Sequence, residues 1–416
     1  MVLLFILELI LREILLISIS GADKPGITQA VSEVLMHHDC DILDISQSVI
    51  HDNLNLGLLT RAPLGQQLEK IKSEIFSSLS ALEMKVRFQE VSEASYSSWV
   101  DQQGKPRHIV TLLARRVTAE HIARVTEVTV KNQLNIDKIT RLSGRVPLNR
   151  MEKSSRSCVE FSLRGLPVDL PVFRSSLLEM SSEMEVDIAY QEDNIFRRNR
   201  RVVVFDMDST LIDAEVIDEL AKEVGAGEEV SKITEAAMRG ELDFKESFSQ
   251  RLRFLEGLDE SVLKKVSLRL NLTEGAEDLM STLRLLGYKT AILSGGFDYF
   301  ASQIQKTLGI DYVYANKLEI VNGKVTGNIS GEIVDGEKKA SLLRDIAAGE
   351  NVSLEQVIAV GDGANDLPML SIAGLGIAFR AKPLVKATAK QSISKVGLDG
   401  ILYLMGISDR DVSRWE

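Results

Sequence analysis

From residue 201 onward, short β-branched and apolar runs (RVVVF, YKTAILS, VIAVGD) alternate with amphipathic helical patterns. No other feature narrows the fold so far, because buried strands separated by helices are the signature of a doubly wound parallel sheet. Residues 213 to about 282 interrupt the alternation with largely helical, charged sequence directly after the first strand. That placement predicts a helical cap over the strand ends. The first strand also runs straight into two carboxylates, in RVVVFDMDST. Sites in open α/β sheets form beyond the carboxyl ends of the strands. Asp206 and Asp208 therefore leave the strand in a loop where both can face one crevice, and a divalent cation there offsets their mutual repulsion. The plain alternative is that Asp206 ends a strand and Asp208 caps a helix.

Three further stretches bear on that choice. ILSGG, at 292–296, ends a strand in a hydroxyl and two glycines, so that backbone N–H groups and the Ser294 hydroxyl can approach an anion. GEKKASLL sets Lys338 and Lys339 at a helix start, where one ammonium can reach the same crevice; the ordinary reading of a lysine pair is a solvated face. VIAVGDGANDLPML places Asp362, Asn365 and Asp366 after another buried strand. Hard oxygen ligands from two strand ends suit Mg²⁺ better than a softer metal, which would look for His or Cys. Each stretch has an ordinary reading as a turn, but all four ordinary readings would have to hold together.

The front of the chain is built differently. Strand-like LLISISG, helical DKPGITQAVSEVLMHHD, two strand-like runs, the helical LGQQLEKIKSEIFSSLSALEM and KVRFQEVS give the order βαββαβ. About 90 residues later the same order recurs from RHIVTLLARR to VDIAYQED. So long a period points to duplicated domains of the ferredoxin-like α+β type. The expected division is 1–100 and 101–193 for these two units, a polar linker at 194–200 within NIFRRNRR, and 201–416 for a Rossmann-like domain with its cap. In the first unit, Asp23, Lys24 and Gly26 lie between strand and helix, where free N–H groups can receive a ligand carboxylate. The second unit reads RRVTAEHI there and lacks the Pro-Gly pair.

Composition then limits the partners. A net charge of −11 repels polyanions, so nucleic acid is not expected as a partner. Two cysteines, Cys40 and Cys158, allow at most one disulfide in a chain that needs none, which fits a reducing cytoplasm. The apolar opening MVLLFILELILREILLISIS is broken by Glu8, Arg12 and Glu13 and lacks the flanks of a signal peptide. It is expected to form a short amphipathic helix running into a strand near LLISIS, with no membrane role.

The combination DMDST, SGG, Lys and GDGAND resembles the haloacid dehalogenase superfamily of phosphotransferases over residues 201–416. Within it, LIDAEVIDELAKEVG followed by MRGELDFKESFSQRLRFL is similar to the cap of the phosphoserine phosphatase family. The resemblance implies Asp206 as nucleophile and Asp208 as general acid and base, with Mg²⁺ held by Asp206, the Asp208 backbone carbonyl and Asp362, and Asp366 in or near that shell. Ser294, the Gly295 backbone and Lys339 would hold the phosphoryl group, with Asn365 beside them. Glu215 and Arg251 would take the ammonium and carboxylate of O-phosphoserine, and Met238 and Phe244 would wall the pocket. The front units resemble ACT domains, which implies amino-acid binding near Asp23, Lys24 and Gly26, L-serine as effector, and a homodimer through these domains. Two other readings keep part of this picture: a phosphatase for another small phosphomonoester, and an amino-acid-binding regulator with an inactive phosphatase domain.

Overall fold

The computed structural model describes residues 12–147, 156–239 and 241–412. The helix expected before the first strand falls in residues 1–11, outside the described residues. The chain divides into two compact units at Lys105/Pro106.

The first unit contains four strands, β1 (Arg12–Ala22), β2 (Asp41–Ile50), β3 (Asn53–Pro63) and β4 (Lys85–Val91), in the order β2-β3-β1-β4. Every neighbouring pair is antiparallel. Period-two alternation sends Leu54, Leu56 and Leu58 of β3, with Ile17 and Ile19 of β1, to one face. The helices Ile27–His37 and Gln66–Ser80 cover it with Val31, Leu35, Ile71, Ile75 and Leu79. A further helix, Glu93–Gln103, was not evident from the sequence: it buries no residue, and Ser92 caps it by accepting the Ser95 N–H. It runs across the expected boundary at 100.

The second unit opens with β5 (Arg107–Ala114), β6 (Asn135–Arg141), β7 (Ser157–Arg164) and β8 (Asp187–Glu192). Their order, β6-β7-β5-β8, repeats that of the first sheet element for element. A 3₁₀ turn at Ile195–Arg198 then leads to a seven-stranded sheet. Its strands are β9 (Val202–Phe205), β10 (Lys289–Phe297), β11 (Tyr312–Val321), β12 (Lys324–Ser330), β13 (Val357–Gly361), β14 (Leu375–Phe379) and β15 (Gln391–Ile393). The order is β12-β11-β10-β9-β13-β14-β15, parallel except for β11 with β12. The chain winds outward from β9 on one side and resumes at β13 on the other. This reversal places a topological switch point at the end of β9, where doubly wound sheets open a crevice.

The cap leaves and returns through a short hinge. Ile212 bridges Leu272, the Thr273 N–H donates to the Leu211 carbonyl at 2.9 Å, and the Asp213 N–H donates to that of Asn271 at 3.1 Å. Four helices, Val216–Glu223, Gly227–Met238, Phe244–Arg253 and Ser261–Ser267, lie between these points. The cap is thus shorter than the expected 213–282: the helix Ala276–Leu285 buries Leu279, Met280 and Leu283 in the core beneath the seven-stranded sheet.

Within this unit the βαββαβ repeat is joined to the larger sheet through β8 and β15. The Gln391 carboxamide imitates a peptide group: its oxygen accepts the Tyr190 N–H at 2.8 Å and its nitrogen donates to the Tyr190 carbonyl. The buried Asp187 carboxylate accepts the N–H groups of Ser394 and Lys395 at 2.8 and 2.7 Å.

Candidate active site

β9 reads VVVF, and all four side chains are buried, which fixes the strand between β10 and β13. The Asp206 N–H continues the pairing by donating to the Val360 carbonyl at 2.9 Å. The chain then turns through Met207–Leu211, where Asp208 is extended (φ −65°, ψ 136°) and Ser209 takes φ +55°. That break in an otherwise helical turn brings both carboxylates into the crevice. Asp206 Oδ1 accepts the Met207 N–H at 2.8 Å and meets Lys339 Nζ at 2.9 Å. Asp206 Oδ2 has no protein partner among these. Asp208 Oδ1 accepts the Val216 N–H at 2.9 Å, and its Oδ2 lies where a side chain on Gly296 would sit, 2.2 Å from an added Cβ. Only glycine at 296 leaves room for that carboxylate.

The loop after β13 supplies the other acids. Asp366 Oδ2 accepts the N–H groups of Asp362 and Gly363, each at 3.0 Å, and its Oδ1 accepts from Lys339 Nζ at 2.7 Å. Lys339 is completely buried, whereas Lys338 turns to the surface and pairs with Glu332 at 2.8 Å. Asp206, Asp362 and Asp366 each offer a carboxylate oxygen within 4.8 Å of the others. Three buried carboxylates crowd around one ammonium, so their ionisation calls for further positive charge, and every donor is a hard oxygen. The cluster therefore fits a divalent cation of the Mg²⁺ type.

Protonation follows the same crowding. Burial, then the charge of Asp366, pushes the Asp206 carboxyl up to about 7, against the pull of Lys339. Asp208 is raised well above the usual carboxylate range by burial and then by Glu215 and Asp206. Asp362 is raised by burial and then by Glu215, Asp366 and Asp206. Burial alone would lower Lys339, but Asp206 and Asp366 more than compensate and hold its proton more firmly than usual.

A cleft is lined by Asp206 and Asp208 together with Gly295, Gly296 and Asn365 and the cap residues Phe244, Phe248 and Arg251, with Glu215 at the start of the cap. Arg251 is 5% exposed. It donates to the Thr234 hydroxyl at 3.1 Å and lies over the Phe248 ring at 5.9 Å. The Thr234 hydroxyl in turn donates to Asp218 at 2.6 Å. Glu215 accepts the Ser209 hydroxyl, and burial raises its pKa. Phe244 stacks on Phe248 at 5.8 Å, with a ring carbon 2.6 Å from where a Cβ on Gly295 would stand. Met238 ends its helix, but its side chain lies outside the described residues. Ser294 is fully buried and its Oγ accepts the Gly296 N–H at 2.9 Å.

Several contributors went unnamed in the sequence. Thr210 donates to Asp362 at 3.2 Å across 152 residues of chain. Asn316 clamps the SGG loop, donating to the Gly295 carbonyl at 2.8 Å and accepting the Val334 N–H at 2.8 Å. Thr210 stands inside the DMDST motif and could have been found there; nothing local marks Asn316 or Thr234.

Residues 203–371 match the haloacid dehalogenase-like hydrolase family, and residues 13–89 match the ACT domain. The chain is 40% identical over 402 residues to a phosphoserine phosphatase of Streptomyces coelicolor, covering 96% of this chain and 93% of the relative. It is 36% identical over 398 residues to a phosphoserine phosphatase of Mycobacterium tuberculosis, covering 95% and 94%. The chain belongs to the phosphoserine phosphatase family. Among solved structures, a haloacid dehalogenase family hydrolase from Salmonella enterica superposes with a TM-score of 0.60 at 32% identity, covering 72% of this chain and 99% of that one. Family membership accounts for the cap and sheet together: the phosphatase fold spans the larger part of the second unit, with the ACT domain in the first.

In the first unit, Gly26 starts the helix Ile27–His37 at φ +93° with no side-chain cap, and the Asp23 N–H donates to the Asp52 carbonyl at 2.8 Å. Lys24 is already engaged, pairing with Glu83 at 2.6 Å and donating to the Leu82 carbonyl at 3.2 Å. Cys40 and Cys158 are free thiols, and no helix among the described residues is long and apolar enough to cross a membrane.

Proposed function

We propose that the chain is a phosphoserine phosphatase that hydrolyses O-phospho-L-serine to L-serine and phosphate, the closing step of L-serine synthesis, through a phosphoryl group carried on Asp206. The observation that carries this reading is a single cleft lined by two chemically different sets of groups. Asp206 and Asp208 share it with the half-buried Glu215 and the buried Arg251. A zwitterionic amino acid bearing a phosphate ester needs both.

Asp206 Oδ1 is committed to Met207 N–H and Lys339, so Oδ2 is the attacking atom. It bonds to phosphorus as the phosphorus–serine oxygen bond breaks. Asp208, whose buried surroundings favour its protonated form, gives its proton to the departing serine oxygen. Water then attacks phosphorus, Asp208 takes a proton from it, and the Asp206–phosphorus bond breaks to release phosphate. Lys339, the Ser294 hydroxyl and the Gly295 backbone hold the phosphoryl oxygens, with Asn365 beside them. Glu215 receives the substrate ammonium, Arg251 the carboxylate, and Phe244 and Met238 flank the carbon chain. Mg²⁺, held by Asp206, the Asp208 carbonyl and Asp362 with Asp366 behind them, supplies neutralisation of phosphoryl charge when bound.

The ACT domain of the first unit takes the product L-serine near Asp23, Lys24 and Gly26 and restrains turnover, and two copies pair through their ACT-like sheets in the cytoplasm. Phosphate release from O-phospho-L-serine and from p-nitrophenyl phosphate, with and without Mg²⁺, tests the enzyme reading. Arg251→Ala should lower kcat/KM for phosphoserine at least tenfold more than for the aryl ester, since about 1.5–3 kcal/mol of charged hydrogen bonding is lost to one substrate only. Equal losses would shift the assignment to another small phosphomonoester.

A further inference from the structure

Glu274 stands where three parts of the second unit meet. It follows directly on the cap hinge: its neighbour Thr273 donates to the carbonyl of Leu211, the last residue of the turn that carries Asp208. Its own carbonyl accepts the Leu398 N–H at 2.8 Å, and Gly275 after it takes φ +79° against Asp399. Oε1 and Oε2 receive Arg115 Nη1 and Nη2 at 2.7 and 2.8 Å, a bidentate pair with the strand-to-helix loop of the βαββαβ repeat. Oε2 also accepts from Arg380 at 3.2 Å.

Arg380 leads back to the chemistry. It holds φ +45°, a conformation that costs a non-glycine residue energy and persists only where its surroundings fix it. Its N–H donates to the Ile393 carbonyl at 2.7 Å, two residues from the Gln391 that joins β15 to β8. Two residues further on, the Lys382 N–H faces the carbonyl of Asp362 at 3.4 Å. One carboxylate thus ties together the cap hinge, the loop beside Asp362 and the repeat that precedes the phosphatase sheet.

We infer that Arg115 and Glu274 form a clamp by which the second βαββαβ repeat fixes the cap hinge, making Glu274 a positioning residue for phosphoserine binding. The inference rests on the proposed phosphoserine reaction for its kinetic consequence, but not for its structural one. The three side chains are partly solvated, 47% for Arg115, 42% for Glu274 and 31% for Arg380, so the clamp is weak enough to open and is screened by salt. A fixed hinge keeps Glu215 and Arg251 in one cleft with Asp206; a small aryl phosphate without an amino acid end gains nothing from their placement.

The test uses the full chain carrying Arg115→Ala or Arg115→Lys, with O-phospho-L-serine and p-nitrophenyl phosphate as substrates and hydrogen exchange at residues 271–275 as a readout independent of activity. An exposed bidentate pair is worth up to about 1 kcal/mol, which is about fivefold in a closing equilibrium. Arg115→Ala should raise KM for phosphoserine by about threefold to fivefold with kcat little changed. It should leave the aryl phosphate untouched and speed hinge exchange by a similar factor, and Arg115→Lys should recover part of the loss. Raising NaCl should mimic the substitution in the parent and have a smaller effect in Arg115→Ala, where only the Arg380–Glu274 contact is left to screen. Equal losses on both substrates would mean general damage and would overturn the clamp, as would unchanged KM with unchanged hinge exchange. If the parent cleaves the aryl ester but not phosphoserine, the substrate assignment fails, and hinge exchange still decides the clamp.

Discussion

Replacing Lys339 by Met removes the ammonium that pairs with both Asp206 and Asp366 while keeping the volume of the side chain. Its Nζ lies 2.9 Å from Asp206 and 2.7 Å from Asp366, with all three groups buried. At an effective dielectric of about 20 each contact is worth about 6 kcal/mol of gross attraction, most of it spent on desolvating the charges. Breaking such a pair costs about 3–5 kcal/mol, because the carboxylates stay behind uncompensated. The cost is tied to pH through Asp206, which burial and Asp366 already push from 3.8 up to about 7. A carboxyl with a raised folded pKa contributes its stability below the unfolded value and loses it as pH rises through the folded one. Without Lys339 that folded value climbs further, so the deficit should be smallest near pH 5 and grow as pH rises through and above about 7. Urea unfolding of parent and variant in EDTA at several pH values measures it. Mg²⁺ should then stabilise the variant more than the parent, since a competing positive charge is gone, while turnover is abolished. A deficit under about 1 kcal/mol at pH 8.5, or one that does not vary with pH, would show that Lys339 does not balance these acids.

Two further substitutions probe separate features. Gly296→Ala puts a Cβ 2.2 Å from Asp208 Oδ2 and 2.8 Å from the Met207 side chain; a displacement of this size should cut kcat about 100-fold with the circular dichroism spectrum unchanged. Gln391→Leu strands the Tyr190 N–H and carbonyl in a buried joint; unfolding in urea should show a loss of about 2–4 kcal/mol, with KM for substrate unaffected.

How much could be read from the sequence differs from one element to the next. Asp206, Asp208 and the GDGAND loop were legible because each follows a strand whose residues announce themselves as apolar and β-branched, and SGG because it forms the irregular end of β10, where the geometry is local. The two βαββαβ repeats were legible for the same reason. The helix Glu93–Gln103 was not, because it buries nothing and so carries no apolar periodicity. The far end of the cap was overextended, because the helix Ala276–Leu285 has the same charged, amphipathic pattern as the cap helices, and only its packing assigns it to the core.

What the sequence determined by itself was the set of local conformations and the chemical groups at their ends. It dictated strands ending in carboxylates, a glycine loop able to admit an anion, and a lysine at a helix start. Tertiary structure alone decided which of these groups meet. The order of strands around β9 brings Thr210 against Asp362, though 152 residues separate them, and Gln391 against Tyr190 across 201. It also buried Lys339 and left its neighbour Lys338 in water. The physical reason is that backbone preferences act over a few residues, whereas burial and charge pairing depend on distances in space that no short stretch of chain encodes.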